Sequence, residues 1–187
     1  GYSRRWIRQE IDESLRRLQT ECIDILYLHV DRELDDLEEP LRALDDSIRA
    51  GKIHYWGVSN FRGWRIAEVM RIADGLNMPR PSVCQPYYNL LNRMPEVEIL
   101  PACANYGLGV VPYSPIVRGV LAGKYKPGQK PEAGTRAARA DKRMMQTEWR
   151  EESLQIAQTL DEHAKARGAE ILCEVAGFAM RLMRPTL

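Results

Sequence analysis

Behind Ser3, apolar residues recur at three- and four-residue intervals, at Ile7, Ile11, Leu15 and Leu18. This predicts a helix with one core-facing stripe and a serine cap. Residues 23–29 then form a short, nearly continuous apolar run, the pattern of a strand covered on both faces. After a polar loop, Leu41, Leu44 and Ile48 stand at helical spacing over 40–49, with Gly51 as the stop. The alternation continues: strand 53–58, helix 64–76, strand 82–85, helix 97–106 and strand 108–113. Over 122–147 the periodicity fades among Gly, Pro, Lys, Arg and Ala, which predicts a long surface loop following a strand. Leu154, Ala157, Leu160 and Ala164 then mark a helix over 151–167, and a further helical stretch covers 170–183, ahead of Pro185.

Strands that alternate with helices and are covered on both faces imply an α/β protein with a parallel sheet, either doubly wound or closed into a barrel. No glycine-rich turn follows the first strand, so the dinucleotide fingerprint of a doubly wound fold is missing and the (β/α)8 TIM barrel is favoured. About four strands and their helices are visible, too few to close an eight-stranded cylinder. We therefore expect 1–187 to be a single barrel domain, incomplete at both ends.

Composition narrows the partners. Lys plus Arg total 27 against 26 for Asp plus Glu, a formal charge of +1, which leaves no single-sign field for nucleic acid or an anionic membrane. Cys22, Cys84, Cys103 and Cys173 are too widely spaced for a zinc or disulfide framework, and three of them sit in apolar runs where a thiol acts as a small hydrophobe. No apolar stretch reaches a membrane span of roughly 18–20 residues, and residues 1–6 lack a signal-peptide core, so a cytoplasmic protein is expected.

In a parallel barrel the chemistry gathers at the C-terminal strand ends. The first strand ends in His29, with Asp31 beyond it; the second in Ser59-Asn60; the third in Gln85 with Tyr87, Tyr88 and Asn89; the fourth in Tyr113-Ser114. Any one of these is explained as well or better as an ordinary polar residue after a strand. Four together carry more weight. Ser, Asn and Gln match the donors and acceptor of an amide, and a tyrosine ring covers an aromatic face, the two features nicotinamide presents.

Taken in order, Tyr27-Leu28-His29, Gly57-Val58-Ser59-Asn60-Phe61, Gln85-Pro86-Tyr87-Tyr88-Asn89 and Tyr113-Ser114-Pro115 resemble the signature series of the aldo-keto reductase family. The resemblance spans 3–167, and the run 114–125 is similar to the branch that holds potassium-channel beta subunits and bacterial relatives. It implies an NADP(H)-dependent reductase that converts a small-molecule aldehyde or ketone to an alcohol. His29 is then the catalytic histidine that orients the carbonyl. Ser59, Asn60 and Gln85 hold the carboxamide, and Tyr113 stacks under the nicotinamide ring. Ser114, Pro115, Ile116, Val117, Arg118, Gly119 and Lys124 wrap the pyrophosphate. The basic residues Arg136, Arg139, Lys142 and Arg143 are candidates to cover the adenosine end, and equally suit a solvated loop.

The family's proton donor, a tyrosine tuned by a lysine and an aspartate, would precede Gly1, and its last strand and 2′-phosphate cluster would follow Leu187. A piece of a longer chain is therefore expected in preference to a truncated, inactive protein. The end from Ala169 onward departs from the family's usual Ala-rich, Trp-containing helix. The alternative function is an NADPH-binding regulatory subunit with little turnover; a third is another (β/α)8 enzyme such as an isomerase. Self-association is left open. Residues 119–124 bear a faint likeness to a phosphate-binding P-loop, but the spacing is one residue short and Tyr125 stands where Ser or Thr is needed. His54 and His163 are not offered as ligands, no metal site is assigned, and Trp56 and Trp64 read as packing residues.

Overall fold

A computed structural model describes residues 2–31 and 36–180. The chain divides into two compact units, Gly1–Pro86 with Pro95–Val111, and Tyr87–Met94 with Pro112–Leu187.

The first unit is the regular one. Helix α1 (Arg4–Leu18) is capped by Ser3, whose hydroxyl accepts the Trp6 N–H, and buries Ile7 and Ile11. Leu18, expected on the stripe, is exposed at the helix end. Strand β1 (Ile23–Leu28), helix α2 (Glu38–Arg49), strand β2 (Ile53–Ser59), helix α3 (Gly63–Gly75), strand β3 (Val83–Gln85), helix α4 (Ile99–Tyr106) and strand β4 (Gly109–Val110) follow in strict alternation. All three pairings are parallel, in the order β1-β2-β3-β4. Leu41, Leu44, Ile53, Trp56, Val58, Ile66 and Val69 form the core between sheet and helices. Trp56 is fully buried and donates its indole N–H to the Pro79 carbonyl.

Strand β1 is the first strand of the sheet that this chain shows, and Ile25 on it is 46% exposed. The fourth strand is shorter than its apolar run, because Pro112 supplies no ladder N–H. The pairing resumes beyond it as an isolated parallel bridge between Tyr87 and Tyr113.

The second unit is built largely from loops and helices. Its core joins Val117, Val120 and Leu121 to Met144, Leu154, Ala157 and Val175. Helix α5 (Lys142–Thr147) is capped by the Asp141 carboxylate, which accepts the Met144 N–H at 2.9 Å. Helices α6 (Glu151–Ala166) and α7 (Ile171–Met180) complete it. The predicted loop over 122–147 thus ends in a short helix and is pinned by buried Thr135 and Ala137, while Arg136, Arg139, Lys142 and Arg143 are exposed. The end of the predicted helix over 170–183, residues 181–183, lies outside the described residues. Among the described residues no helix is long and apolar enough to cross a membrane.

Candidate active site

Parallel strands deliver their last residues to one end of the sheet, and the register decides which of them become neighbours. Leu28 pairs with Val58, and Ser59 with Gln85, so His29, Ser59, Asn60 and Gln85 arrive together at the C-terminal ends of β1, β2 and β3. Hydrogen bonds fix them. The Ser59 hydroxyl donates to the Gln85 carbonyl at 2.8 Å, and the Asn60 side-chain amide donates to the His29 carbonyl at 2.9 Å and to Ser59 Oγ at 3.0 Å.

Two backbone features allow this. Asn60 sits at φ 56°, in the left-handed region that asparagine tolerates better than most residues, so the chain turns directly after β2. Gly57 lets β2 and β3 approach: a Cβ there would lie 2.5 Å from the Val83 carbonyl oxygen. The His29 side chain is exposed, and an apolar groove beside it is lined by Tyr2, Trp6, Leu26 and Tyr27.

Behind His29 a charged cluster holds Asp31. Arg65, on α3, donates to Asp31 at 3.1 Å and to Glu68 at 2.7 Å, and its side chain is only 8% exposed. Burial works against the guanidinium charge, but the hydrogen bonds to Glu68 and Asp31 outweigh it, and its pKa is raised. The same guanidinium lies over the Trp64 ring, 4.8 Å from its centroid. Trp64 is half-exposed, and its ring packs against this guanidinium. Beside Gln85, a hydrogen bond with Cys103 and burial push the Cys84 thiol pKa upward, and the two buried sulfurs form a core contact.

The other predicted residues lie in the second unit. The Tyr113 ring stacks on Tyr87 with centroids 5.3 Å apart and planes at 29°. The Tyr87 hydroxyl donates to Glu148 at 3.0 Å, and burial, the largest influence, raises its pKa. Asn89, buried, donates to the Ser114 carbonyl at 3.3 Å while its own Oδ1 accepts the Leu91 and Asn92 N–H groups at 2.9 Å. The backbone then winds through Pro115 and Ile116 with left-handed residues at Ser114, Val117, Arg118 and Gly119, at φ 56°, 51°, 52° and 97°. Glycine suits the last of these; at Val117 the β-branched side chain makes it costly. The exposed Lys124 returns over Gly119, its Cδ 3.5 Å from where a glycine Cβ would stand. Arg118, expected to face a pyrophosphate, instead brings Nε to 3.0 Å from Glu148 Oε2, close but out of hydrogen-bond alignment.

Sequence reasoning noticed Asp31 only as a polar residue near a strand end, noticed Asn89 there and in the resemblance without giving it a role, and missed Arg65 and Glu148. A signal existed for Arg65, with Glu68 three residues on along a predicted helix. None existed for Glu148, whose partners are 30 and 61 residues away in sequence.

Residues 1–180 match the aldo/keto reductase family. A "Probable voltage-gated potassium channel subunit beta" of Oryza sativa subsp. japonica is 39% identical over 132 residues, covering 70% of this chain and 40% of that protein. The "Uncharacterized oxidoreductase YrpG" of Bacillus subtilis is 40% identical over 143 residues, covering 75% and 43%. "Aflatoxin B1 aldehyde reductase member 2" of Mus musculus is 37% identical over 120 residues, covering 64% and 33%. The chain thus spans less than half the length of each of these relatives. Among solved structures, a glycerol dehydrogenase from Gluconobacter oxydans superposes with a TM-score of 0.78 at 26% identity, over 97% of this chain and 53% of that one. The fold is accordingly that of a (β/α)8 barrel, of which this chain shows four strands, and the chain belongs to the aldo/keto reductase family.

Proposed function

We propose that the protein is an NADP(H)-dependent oxidoreductase that reduces aldehyde or ketone groups of small molecules to alcohols. The observation that carries this is the hydrogen-bonded set His29, Ser59, Asn60 and Gln85 at the C-terminal ends of three parallel strands. The donor set fits the cofactor. Ser, Asn and Gln side chains complement the carboxamide, Tyr113 offers a flat face already braced by Tyr87, and Ser114 through Gly119 with Lys124 form a tight turn beside a cation. When bound, nicotinamide supplies the hydride. The chain's own part is to position: Ser59, Asn60 and Gln85 orient the carboxamide, Tyr113 covers one ring face, and His29 donates a hydrogen bond that orients the substrate carbonyl.

Two checks apply to the full-length protein. NADPH fluorescence changes on binding, and NADPH is oxidised in the presence of a reactive aldehyde. His29→Ala lowers turnover by a factor of about a hundred or more while cofactor affinity changes little. Full turnover in that variant removes the catalytic role of His29, and absence of nucleotide binding removes the whole reading. A second reading, an NADPH-binding regulatory subunit with little turnover, is supported by the 39% identity to a protein named as a channel beta subunit. Negligible turnover across many carbonyls, with a stoichiometric protein partner recovered on the intact protein, favours it.

A further inference from the structure

Glu148 is a buried carboxylate in a segment that carries no assigned chemistry. It ends α5, with its N–H donating to the Met144 carbonyl at 2.9 Å, and its side chain is 3% exposed. Taking a carboxylate out of water costs several kcal/mol unless other groups compensate. Two do so: Tyr87 donates its hydroxyl to Oε1 at 3.0 Å, and Arg118 brings its guanidinium to Oε2 at 3.0 Å.

Each partner belongs to a part of the second unit that the proposed function gives to the cofactor. Tyr87 is the ring on which Tyr113 stacks. Arg118 lies at the middle of the left-handed run, at φ 52° and ψ 28°. A non-glycine residue held there costs on the order of 1–3 kcal/mol and stays only where its surroundings fix it. Arg118 sits between Val117, wholly buried in the unit's core, and Gly119. Its cation is directed inward to Glu148, with the side chain 11% exposed.

We infer that Glu148 is a positioning residue for the cofactor site: through Tyr87 it fixes the plane of Tyr113, and through Arg118 it holds the 114–119 turn in its binding shape. The inference rests on the proposed function and refines one part of it, since Arg118 serves as a strut of the turn and its backbone, with Lys124, faces the pyrophosphate. The opposite arrangement, in which Glu148 withholds Arg118 from the pyrophosphate until the cofactor displaces it, predicts the opposite sign. Removing the carboxylate would then free the cation and tighten binding.

The test is NADPH titration of the full-length protein as wild type, Glu148→Gln, Arg118→Met and the double variant. Loss of the preformed turn raises the NADPH Kd in Glu148→Gln by about tenfold or more. KM for the carbonyl at saturating NADPH stays within about twofold, the outcome expected of a residue that acts through cofactor binding. The double variant is no weaker than the worse single variant, since both remove one strut. Simple destabilisation would lower the folded fraction and leave the Kd of that fraction unchanged. Glu148→Asp, which keeps the charge, recovers part of the affinity. Should Glu148→Gln fail to fold, Tyr87→Phe, which removes only the hydroxyl, carries the test with a Kd increase of about threefold. An unchanged or tighter Kd in these variants overturns the inference while the wild type still binds. If the wild type binds no NADPH, the proposed function falls, and this inference falls with it.

Discussion

Arg65 and Arg118 are both buried cations behind loops of the candidate site, and they are held in different ways. Arg65 projects from a regular helix and meets two carboxylates in aligned hydrogen bonds, with an indole ring beneath it. Arg118 projects from a left-handed turn and meets one carboxylate, shared with a tyrosine hydroxyl, without alignment. In the first unit the strand and helix periods already place the functional side chains, and the charge cluster holds Asp31 just beyond the strand end. In the second unit the path of 114–119 is a series of tight turns, with the Val117 N–H donating to the Ser114 carbonyl and the Gly119 N–H to the Ile116 carbonyl, and packing of Val117 and the inward charge pair hold it. Regular structure positions by repetition; irregular structure has to position by individual buried contacts.

That contrast can be broken from either side. Arg65→Met strands the buried Asp31 carboxylate and is expected to remove about 3 kcal/mol of stability, read by denaturant unfolding. A loss below about 1 kcal/mol would mean the cluster is no tighter than a surface pair. Gly57→Ala places a Cβ 2.5 Å from the Val83 carbonyl, so β2 and β3 must separate. The expected loss is about 2 kcal/mol, and a neutral result would show that the strand spacing is not set by this glycine. Asn89→Ala gives up three hydrogen bonds, one to the Ser114 carbonyl and two from the Leu91 and Asn92 N–H groups within its own loop, with an expected loss of about 1–2 kcal/mol in thermal unfolding. The smallest effect concerns pH. The Tyr87 phenol has a raised pKa, so at alkaline pH the folded state holds its proton more tightly than the unfolded state does. Stability therefore falls as pH rises from about 10 toward the folded value, and Tyr87→Phe flattens that limb of the stability profile.

The first unit was legible because its elements announce themselves locally. Ser3 capped α1 as its position implied, the alternation of apolar runs gave the parallel order, and Ser59-Asn60 and Gln85 fell at strand ends in register. What escaped was non-local or hidden by length. The strand at 108–113 looked long because Val110, Val111 and Tyr113 are apolar, whereas Pro112 and the left-handed Ser114 end the ladder. Glu148 lay beyond pattern reading altogether: a lone glutamate among Gln146, Thr147 and Trp149 looks like surface until the fold brings Tyr87 and Arg118 to it.

The claim on which the account turns is that the strand-end cluster of the first unit recognises a nicotinamide carboxamide. Gln85→Met tests it most directly, because the change keeps the length of the side chain and removes its amide. Titrated with NADPH, the full-length wild type should bind saturably. The variant should bind about tenfold more weakly or worse, at an unchanged melting temperature. Equal affinity in the two proteins, or no binding in either, would contradict it.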